Sequence, residues 1–196
     1  MKTKCITLLL ALLLVFGLTG CGAPDVPMEA TIDGNTIVLG QTTMQDLIDL
    51  GYEPHLQSRQ DVARDGDAYI TFYYSLDKGA GHQFWADVAV PWSGDTNIND
   101  EAALSTTEGI VRSVKFSKSS TEKIKASYNG IDIQDMTFDY GIEKWGAKKD
   151  DRTTVPAYLA TVKRGSLRME SESTLEEEFH ELTVSLSMKE LEKMQK

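Results

Sequence analysis

The segment Thr42-Thr-Met-Gln-Asp-Leu-Ile-Asp-Leu-Gly51 has the pattern of a short capped helix. A threonine at its start can accept hydrogen bonds from the free backbone N–H groups of the first turn. Leu47 and Leu50 return at helical spacing, and the closing glycine can adopt the left-handed conformation that ends a helix. Upstream, Asp33-Gly34 indicates a turn that leads into a short strand with Ile37. Together these features predict a hairpin followed by a helix that packs on a sheet.

A second segment, Thr137-Phe-Asp-Tyr-Gly-Ile-Glu-Lys-Trp-Gly146, repeats this pattern. Ile142 and Trp145 take the places of the two leucines, and they are expected to face a sheet. Asn129-Gly130 with Ile133 matches the upstream turn and strand after one residue of slippage. The match favours an internal duplication. A chance similarity between two turn-helix-turn segments is the alternative.

After each helix segment the hydrophobic period changes from 3.6 to 2, which is typical of strands. The alternating apolar residues are Ile70, Phe72, Tyr74 and Leu76, then Phe84, Val88 and Val90, and later Leu182, Val184, Leu186 and Met188. We therefore expect an α+β fold of two tandem helix-plus-antiparallel-sheet units. The first would cover residues 32–118, and the second residues 119–196 with a C-terminal tail.

The N-terminus has the features of a bacterial secretion signal. Two lysines precede an apolar run from Ile6 to Leu18, which is too short for the ~20 residues that a membrane-spanning helix needs. Leu18-Thr19-Gly20-Cys21 then resembles a bacterial lipobox. The resemblance implies a signal peptide over 1–20, cleavage before Cys21 and a diacylglyceryl group on its sulfur. An ordinary secreted protein with a chance cysteine is the alternative.

These features predict a lipid-anchored protein on the extracytoplasmic side of the cell membrane. Residues 21–31 contain two prolines and indicate an extended tether. The other cysteine of the chain, Cys5, lies in the leader, so no disulfide is expected within the mature protein. The net charge of −10 argues against nucleic acid as a partner, and it leaves membrane attachment to the acyl chains.

The first copy carries a further resemblance, over Ile37-Val-Leu-Gly-Gln-Thr-Thr-Met-Gln-Asp-Leu-Ile-Asp-Leu-Gly-Tyr-Glu-Pro54. Its order of glycine, capping threonine, apolar helix, glycine and proline resembles beta-lactamase inhibitor proteins and small outer-membrane assembly lipoproteins. The second copy departs from this order, because Asp135 replaces the first glycine and no proline follows Gly146. The resemblance implies a protein that binds other proteins through an exposed sheet face. It supplies no catalytic residue.

An independent prediction of the same surface comes from strand alternation. If Ile70 and Phe72 face the helix, then Tyr69 and Tyr73 must point to the opposite side, and Trp85 on the next strand joins them. Rigid aromatic side chains on an open sheet face are frequent anchors of protein contacts. Coverage of these aromatics by the second unit or by a loop is the alternative.

No pattern in the sequence indicates an enzyme or a cofactor. His55, His82 and His180 show no metal-ligand spacing, and the chain has no nucleophile elbow, phosphate-binding glycine loop or dinucleotide motif. A calcium loop is suggested by the alternating oxygen ligands of Asp95-Thr-Asn-Ile-Asn-Asp-Glu101. The match fails at Asp100, where a glycine is required, so we expect a polar hairpin loop and no metal.

Two charged segments have ordinary explanations. A group of glutamates is expected to form a solvated turn between two strands, and a cation site or a docking surface for a basic partner is the alternative; they are Glu170, Glu172, Glu176, Glu177, Glu178 and Glu181. The tail from Met188 to Lys196 is barely two helical turns long, and we expect it to fray.

The sequence thus predicts a non-catalytic lipoprotein that binds an envelope protein or peptide through the face with Tyr69, Tyr73 and Trp85. A small-molecule-binding or cation-binding accessory lipoprotein is the alternative, and it would be expected to have a pocket between the two units.

Overall fold

The computed structural model describes residues 22–59, 69–79, 83–92, 108–120, 123–175 and 178–196. These residues form an α+β fold of antiparallel strands with three short helices. The predicted signal peptide, Cys21, His82 and the calcium-like segment 95–101 lie outside the described residues. Within the described ranges, no helix is long and apolar enough to span a bilayer.

The strands are β1 (Glu29–Ile32), β2 (Asn35–Val38), β3 (Glu53–Arg59), β4 (Tyr69–Asp77), β5 (Gln83–Pro91), β6 (Ile110–Ser117), β7 (Ala126–Tyr128), β8 (Ile131–Asp132), β9 (Lys148–Lys149), β10 (Ala157–Val162), β11 (Gly165–Glu170) and β12 (Glu181–Leu186). The helices are α1 (Met44–Asp49), α2 (Phe138–Trp145) and α3 (Met188–Met194), with a short 3-10 helix over Ile133–Asp135.

The strands form two sheets. The large sheet has the order β3-β4-β5-β6-β12-β11-β10-β9, and the small sheet has the order β2-β1-β7-β8. Each order is symmetrical about its middle if strands β1 to β6 are matched in turn with strands β7 to β12. The pairing of β6 with β12 joins the two halves of the large sheet, with Val114 opposite Val184.

The two hairpin turns expected at Asp33-Gly34 and Asn129-Gly130 are confirmed. The φ angles are 49° and 81° in the first turn and 52° and 78° in the second. Positive φ at both central residues matches the right-handed twist of the flanking strands, and Asn, Asp and Gly tolerate it best. The turns therefore connect β1 to β2 and β7 to β8.

The threonine caps are also confirmed. The hydroxyl of Thr43 accepts a hydrogen bond from the backbone N–H of Asp46, whose carboxylate accepts one in return from the N–H of Thr43. The hydroxyl of Thr137 accepts from the N–H of Tyr140. Gly146 then ends α2 in the left-handed conformation with φ of 64°. Each helix is therefore bounded by the residues that the sequence indicated.

One face of the large sheet packs against the helices and the small sheet. The predicted alternating residues of β4, β5 and β12 are buried on this face, whereas Met188 is half-buried and begins α3. Helix α1 adds Met44 and Leu47 to the core. These side chains supply most of the apolar burial that stabilises the fold.

The predicted sheet-facing side of α2 is wrong at one residue. Trp145 is buried, but Ile142 is 40% exposed. The buried side of the helix runs through Phe138, Gly141 and Trp145. A Cβ at Gly141 would lie 2.2 Å from the Sδ atom of Met169 on β11, so the helix approaches the sheet along its glycine. This close approach rotates Ile142 toward solvent.

The expected tether over residues 21–31 is shorter than the sequence indicated. Val26, Met28 and Ala30 are 8%, 3% and 2% exposed, and β1 begins at Glu29. The hydroxyl of Tyr128 donates to the carbonyl of Pro27 at 2.8 Å. The prolines permit this extended path but do not keep it in solvent, because alternate side chains reach the core.

The expectation of a frayed C-terminal tail is wrong. Ser187 caps α3 by accepting from the N–H of Glu190, and Leu191 is fully buried. The side-chain amide of Gln195 donates to the carbonyl of Gly40 at 3.0 Å. Tertiary contacts therefore hold a helix that is too short to be stable alone.

Candidate functional site

The face of the large sheet that points away from the helices carries the predicted aromatic residues, and we call it the open face. Because strand side chains alternate, burial of Ile70 and Phe72 assigns Tyr69 and Tyr73 to the open face. Trp85 lies there too, since it pairs with Ser75 in the unbroken register between β4 and β5. All three aromatic side chains are half-buried.

The structure brings two of the three aromatics together. Tyr73 pairs with Asp87 and Ser75 pairs with Trp85, so Tyr73 and Trp85 are diagonal neighbours. Tyr69 starts β4 opposite Pro91, roughly 13 Å along the strand from Tyr73. Tyr69 also packs against the core. The aromatic site is therefore centred on Tyr73 and Trp85.

Lys115 of β6 lies at the centre of this site, although no local sequence pattern marks it as a site residue. Its Nζ atom is 2.8 Å from Oε1 of Glu181 on β12 and 5.8 Å from the ring centroid of Trp85. The Lys115 and Glu181 side chains are 30% and 17% exposed. The alternation of Val114, Lys115 and Phe116 indicates a strand with the lysine outward, but only the fold reveals its partners.

Burial and pairing shift the pKa values of these groups. Burial raises the pKa of Tyr73, and the charge of Lys115 only partly opposes this effect. Burial alone would lower the pKa of Lys115, but the hydrogen bond and charge of Glu181 outweigh it and raise that pKa. Burial also raises the pKa of Glu181, against the effect of Lys115, and Glu170 directly opposite on β11 adds repulsion. At neutral pH Lys115 is therefore protonated and paired with Glu181.

A second ion pair lies beside the aromatic site. Nη2 of Arg112 is 3.3 Å from Oδ2 of Asp87, and the two side chains are 19% and 14% exposed. A bulge after Asp87 shifts the register with β6, which lets Arg112 reach this face. The Nε atom of Arg112 and the hydroxyl of Thr71 are buried, and neither has a hydrogen-bond partner among the residues that the structure describes.

A third group of charges occupies the other half of the open face. Arg168 of β11 donates to Asp150 at 3.0 Å and to Glu170 at 2.8 Å. Arg152 donates to Asp150 through its Nε at 2.7 Å. The Arg152 hydrogen bonds, with help from Arg168, hold the pKa of Asp150 well below its ordinary value of 3.8.

The ion pairs of the open face contain equal numbers of basic and acidic side chains. Four basic side chains pair with four acidic ones; they are Arg112, Lys115, Arg152 and Arg168 with Asp87, Asp150, Glu170 and Glu181. Two of the glutamates expected in a solvated turn are thus strand residues in ion pairs. Glu172 and Glu178 are exposed in the turn as expected. These eight paired side chains carry no net charge, whereas the whole chain has a net charge of −10.

A shallow depression of about 300 Å³ lies on the open face, lined by Tyr73, Asp87, Ser113, Lys115 and Thr183. Ser113 is 2% exposed and accepts a hydrogen bond from Ser185 at 3.2 Å, so it belongs to the floor. Larger side chains of both signs surround it. The lining of the depression is therefore polar, with one charge of each sign.

One serine and histidine pair resembles a nucleophile with its base, but its geometry is poor. The Oγ of Ser119 is 3.5 Å from Nε2 of His180, whose Nδ1 is 3.4 Å from Oε2 of Glu172. A nucleophile and its base are usually about 2.6–3.2 Å apart. Glu172 is 67% exposed, so water competes for its carboxylate. We assign no chemistry to this contact.

A metal centre is not evident either. Within the described ranges, no group of three or more His, Cys, Asp or Glu side chains could hold a metal ion. The chain matches no family model, no curated protein and no solved structure.

Proposed function

We propose that the chain is a lipid-anchored, extracytoplasmic binding protein, without catalytic activity, that engages an envelope protein or peptide through the open face. The observation that carries this proposal is the cluster of Tyr73, Trp85 and Lys115 in the middle of a broad sheet face. Aromatic side chains dominate the energetic centres of protein interfaces.

The state of these side chains supports a binding role. Tyr73, Trp85 and Lys115 are half-buried and contact one another or their neighbours, so they are largely ordered before a partner arrives. Binding then costs less side-chain entropy than it would for fully exposed residues. The described ions beside them already have counter-ions, so binding at this cluster does not require burial of an unpaired charge there.

The strand order supports the proposed tandem organisation. Four strands before residue 118 and four after it occupy matching positions in the large sheet. Each half also contributes a two-stranded hairpin, followed by a threonine-capped helix. We propose on these grounds that residues 32–118 and 119–196 are copies of one unit. The proposed likeness to beta-lactamase inhibitor proteins rests on this arrangement and on the Ile37–Pro54 pattern.

The lipid anchor rests on the sequence from Ile6 to Cys21. Replacement of Cys21 by Ser should move the protein from the detergent phase to the aqueous phase of a detergent-partition assay. Mass spectrometry of the wild-type protein should recover Cys21 as a diacylglyceryl N-terminus. An unmodified thiol or an uncleaved leader would contradict the anchor.

The binding face can be tested by photo-crosslinking in the native envelope. A photoreactive phenylalanine at Trp85 should give a discrete protein adduct, whereas the same residue at Ile142 serves as a control. Ile142 is an exposed apolar side chain on a helix of the opposite layer. Tyr73→Ala should weaken the adduct formed at position 85.

Two results would overturn the binding proposal. One is an identical set of adducts at positions 85 and 142. The other is the absence of a protein adduct at position 85, which would favour the small-molecule or cation alternative.

A further inference from the structure

The N-terminal segment is fastened to one corner of the large sheet. The backbone N–H of Lys163 donates to the carbonyl of Pro24 at 3.0 Å, and the Lys163 ammonium is 3.1 Å from Oδ2 of Asp25. Nη2 of Arg164 donates to the carbonyl of Val26 at 3.2 Å. Lys163 and Arg164 form the turn between β10 and β11, so this turn holds the start of the folded chain.

This fastening limits the distance between the lipid and the protein. Three residue steps separate Cys21 from Pro24, and they span about 11 Å at most. If Cys21 carries the acyl chains, as the proposed function requires, its thioether lies at the level of the lipid headgroups. The β10–β11 turn must then lie close to the headgroups as well.

The charges at the two ends of β11 favour one orientation. Lys163 and Arg164 outnumber Asp25 at the fastened end, so this corner is basic. The segment that follows the other end of β11, residues 171–179, contains four glutamates and no basic residue. Anionic headgroups attract the first end and repel the second.

We propose that the corner formed by residues 22–25 and the β10–β11 turn docks on the phospholipid surface, with the β11–β12 turn pointing away from it. The inference rests on the lipid anchor of the proposed function. The surface that this corner contacts is a layer of lipid headgroups. In this orientation the open-face site faces sideways. Arg168 lies in the same cross-strand row as Thr183 and Lys115, and it is roughly 10 Å along β11 from Gly165 at the docked end.

The orientation can be measured with two matched cysteine variants of the lipidated protein in anionic vesicles. Thr161→Cys places an environment-sensitive fluorophore beside the fastened turn, and Thr174→Cys places it in the distal turn; both threonines are exposed. The native sulfur at Cys21 is occupied by lipid, so each variant has one reactive thiol. Headgroup-quencher lipids should quench emission from position 161 but not from position 174.

A third variant tests whether the short link sets the distance. A flexible insert of about ten Gly and Ser residues after Ala23 adds roughly 18 Å of average reach. It leaves the contacts of Pro24 and Asp25 intact. Quenching at position 161 should fall, while the protein should still float with the vesicles.

The outcomes separate the two proposals. Failure of the wild-type chain and of both labelled variants to float with vesicles would contradict the lipid anchor. A chain that floats but shows equal quenching at positions 161 and 174, or stronger quenching at 174, would overturn the orientation alone. Quenching that persists after the insertion would overturn the role of the short link.

Discussion

Replacement of Lys115 by Met tests the electrostatic centre of the open face. The substitution keeps an unbranched apolar stem that can lie against Trp85, but it removes the charge that pairs with Glu181. The glutamate side chain is only 17% exposed, so it would remain a poorly solvated anion at neutral pH.

The expected loss of unfolding free energy lies between the values known for exposed and for fully buried ion pairs. Exposed ion pairs contribute about 0.2–1 kcal/mol, whereas loss of one partner from a fully buried pair costs about 3–5 kcal/mol. The Lys115–Glu181 pair is partly exposed on both sides, so we expect a loss of about 1–2 kcal/mol at pH 7.5. For a chain of this size the loss corresponds to a fall in Tm of about 2–8 °C.

The loss should depend on pH in a defined direction. Burial raises the folded-state pKa of Glu181 above its ordinary value of 4.5, and removal of Lys115 raises it further. The loss of stability caused by ionised Glu181 is therefore absent below the pKa that this group has in the unfolded state. The loss develops as the pH rises through the pKa of Glu181 in the folded state. Urea unfolding should show a smaller difference between variant and wild type at pH 5 than at pH 7.5.

Two controls separate the pair from a general effect of lost charge. The double variant with Lys115→Met and Glu181→Gln should recover most of the stability, because a neutral amide has no ionised form to desolvate. Lys163→Met removes a lysine whose side chain is 66% exposed, and it should change stability little. A Lys115→Met loss of the same size at pH 5 and pH 7.5 would refute the reasoning.

Three further substitutions test the packing and the second charge group. Gly165→Ala should destabilise by about 3 kcal/mol or more, because its Cβ would lie 1.8 Å from the carbonyl oxygen of Ser185 on β12; a urea midpoint unchanged from wild type would contradict this close strand approach. Leu191→Ala should cost about 2–5 kcal/mol of stability, since the side chain is fully buried. Limited proteolysis should then release the C-terminal helix. A variant as resistant to protease as wild type would show that α3 does not dock. Asp150→Asn should destabilise at neutral pH, because Arg152 and Arg168 lower the carboxyl pKa in the folded state. The wild type should lose its stability advantage over this variant as the pH falls below 3.8 toward the lowered pKa of the folded state. An equal difference in unfolding free energy between wild type and variant at pH 3 and at pH 7 would contradict the assignment.

Features encoded by neighbouring residues could be predicted from the sequence. The Asp33-Gly34 and Asn129-Gly130 turns need positive φ angles that few residues tolerate. The caps at Thr43 and Thr137 satisfy backbone groups three residues away. Such features depend little on the rest of the fold.

Features that depend on distant contacts were the ones missed. Leu191 is buried because the fold provides a surface for a short helix, and helical propensity alone gives no sign of it. Ile142 is exposed because Gly141 lets α2 approach Met169. The salt bridge from Lys115 to Glu181 requires β6 to pair with β12, which no local pattern specifies.

The β6–β12 pairing also explains why the proposed binding site depends on both halves of the large sheet. The two halves of the large sheet have matching strand orders, but Tyr73 and Trp85 lie only in the first half. Lys115 beside them obtains its counter-ion, Glu181, from the second half. The first half contains the tyrosine, the tryptophan and the lysine but lacks the counter-ion of the lysine, and the second half contributes only that glutamate. The proposed binding site therefore requires the whole sheet, and disruption of the pairing between β6 and β12 should abolish binding even where each half keeps its own strands.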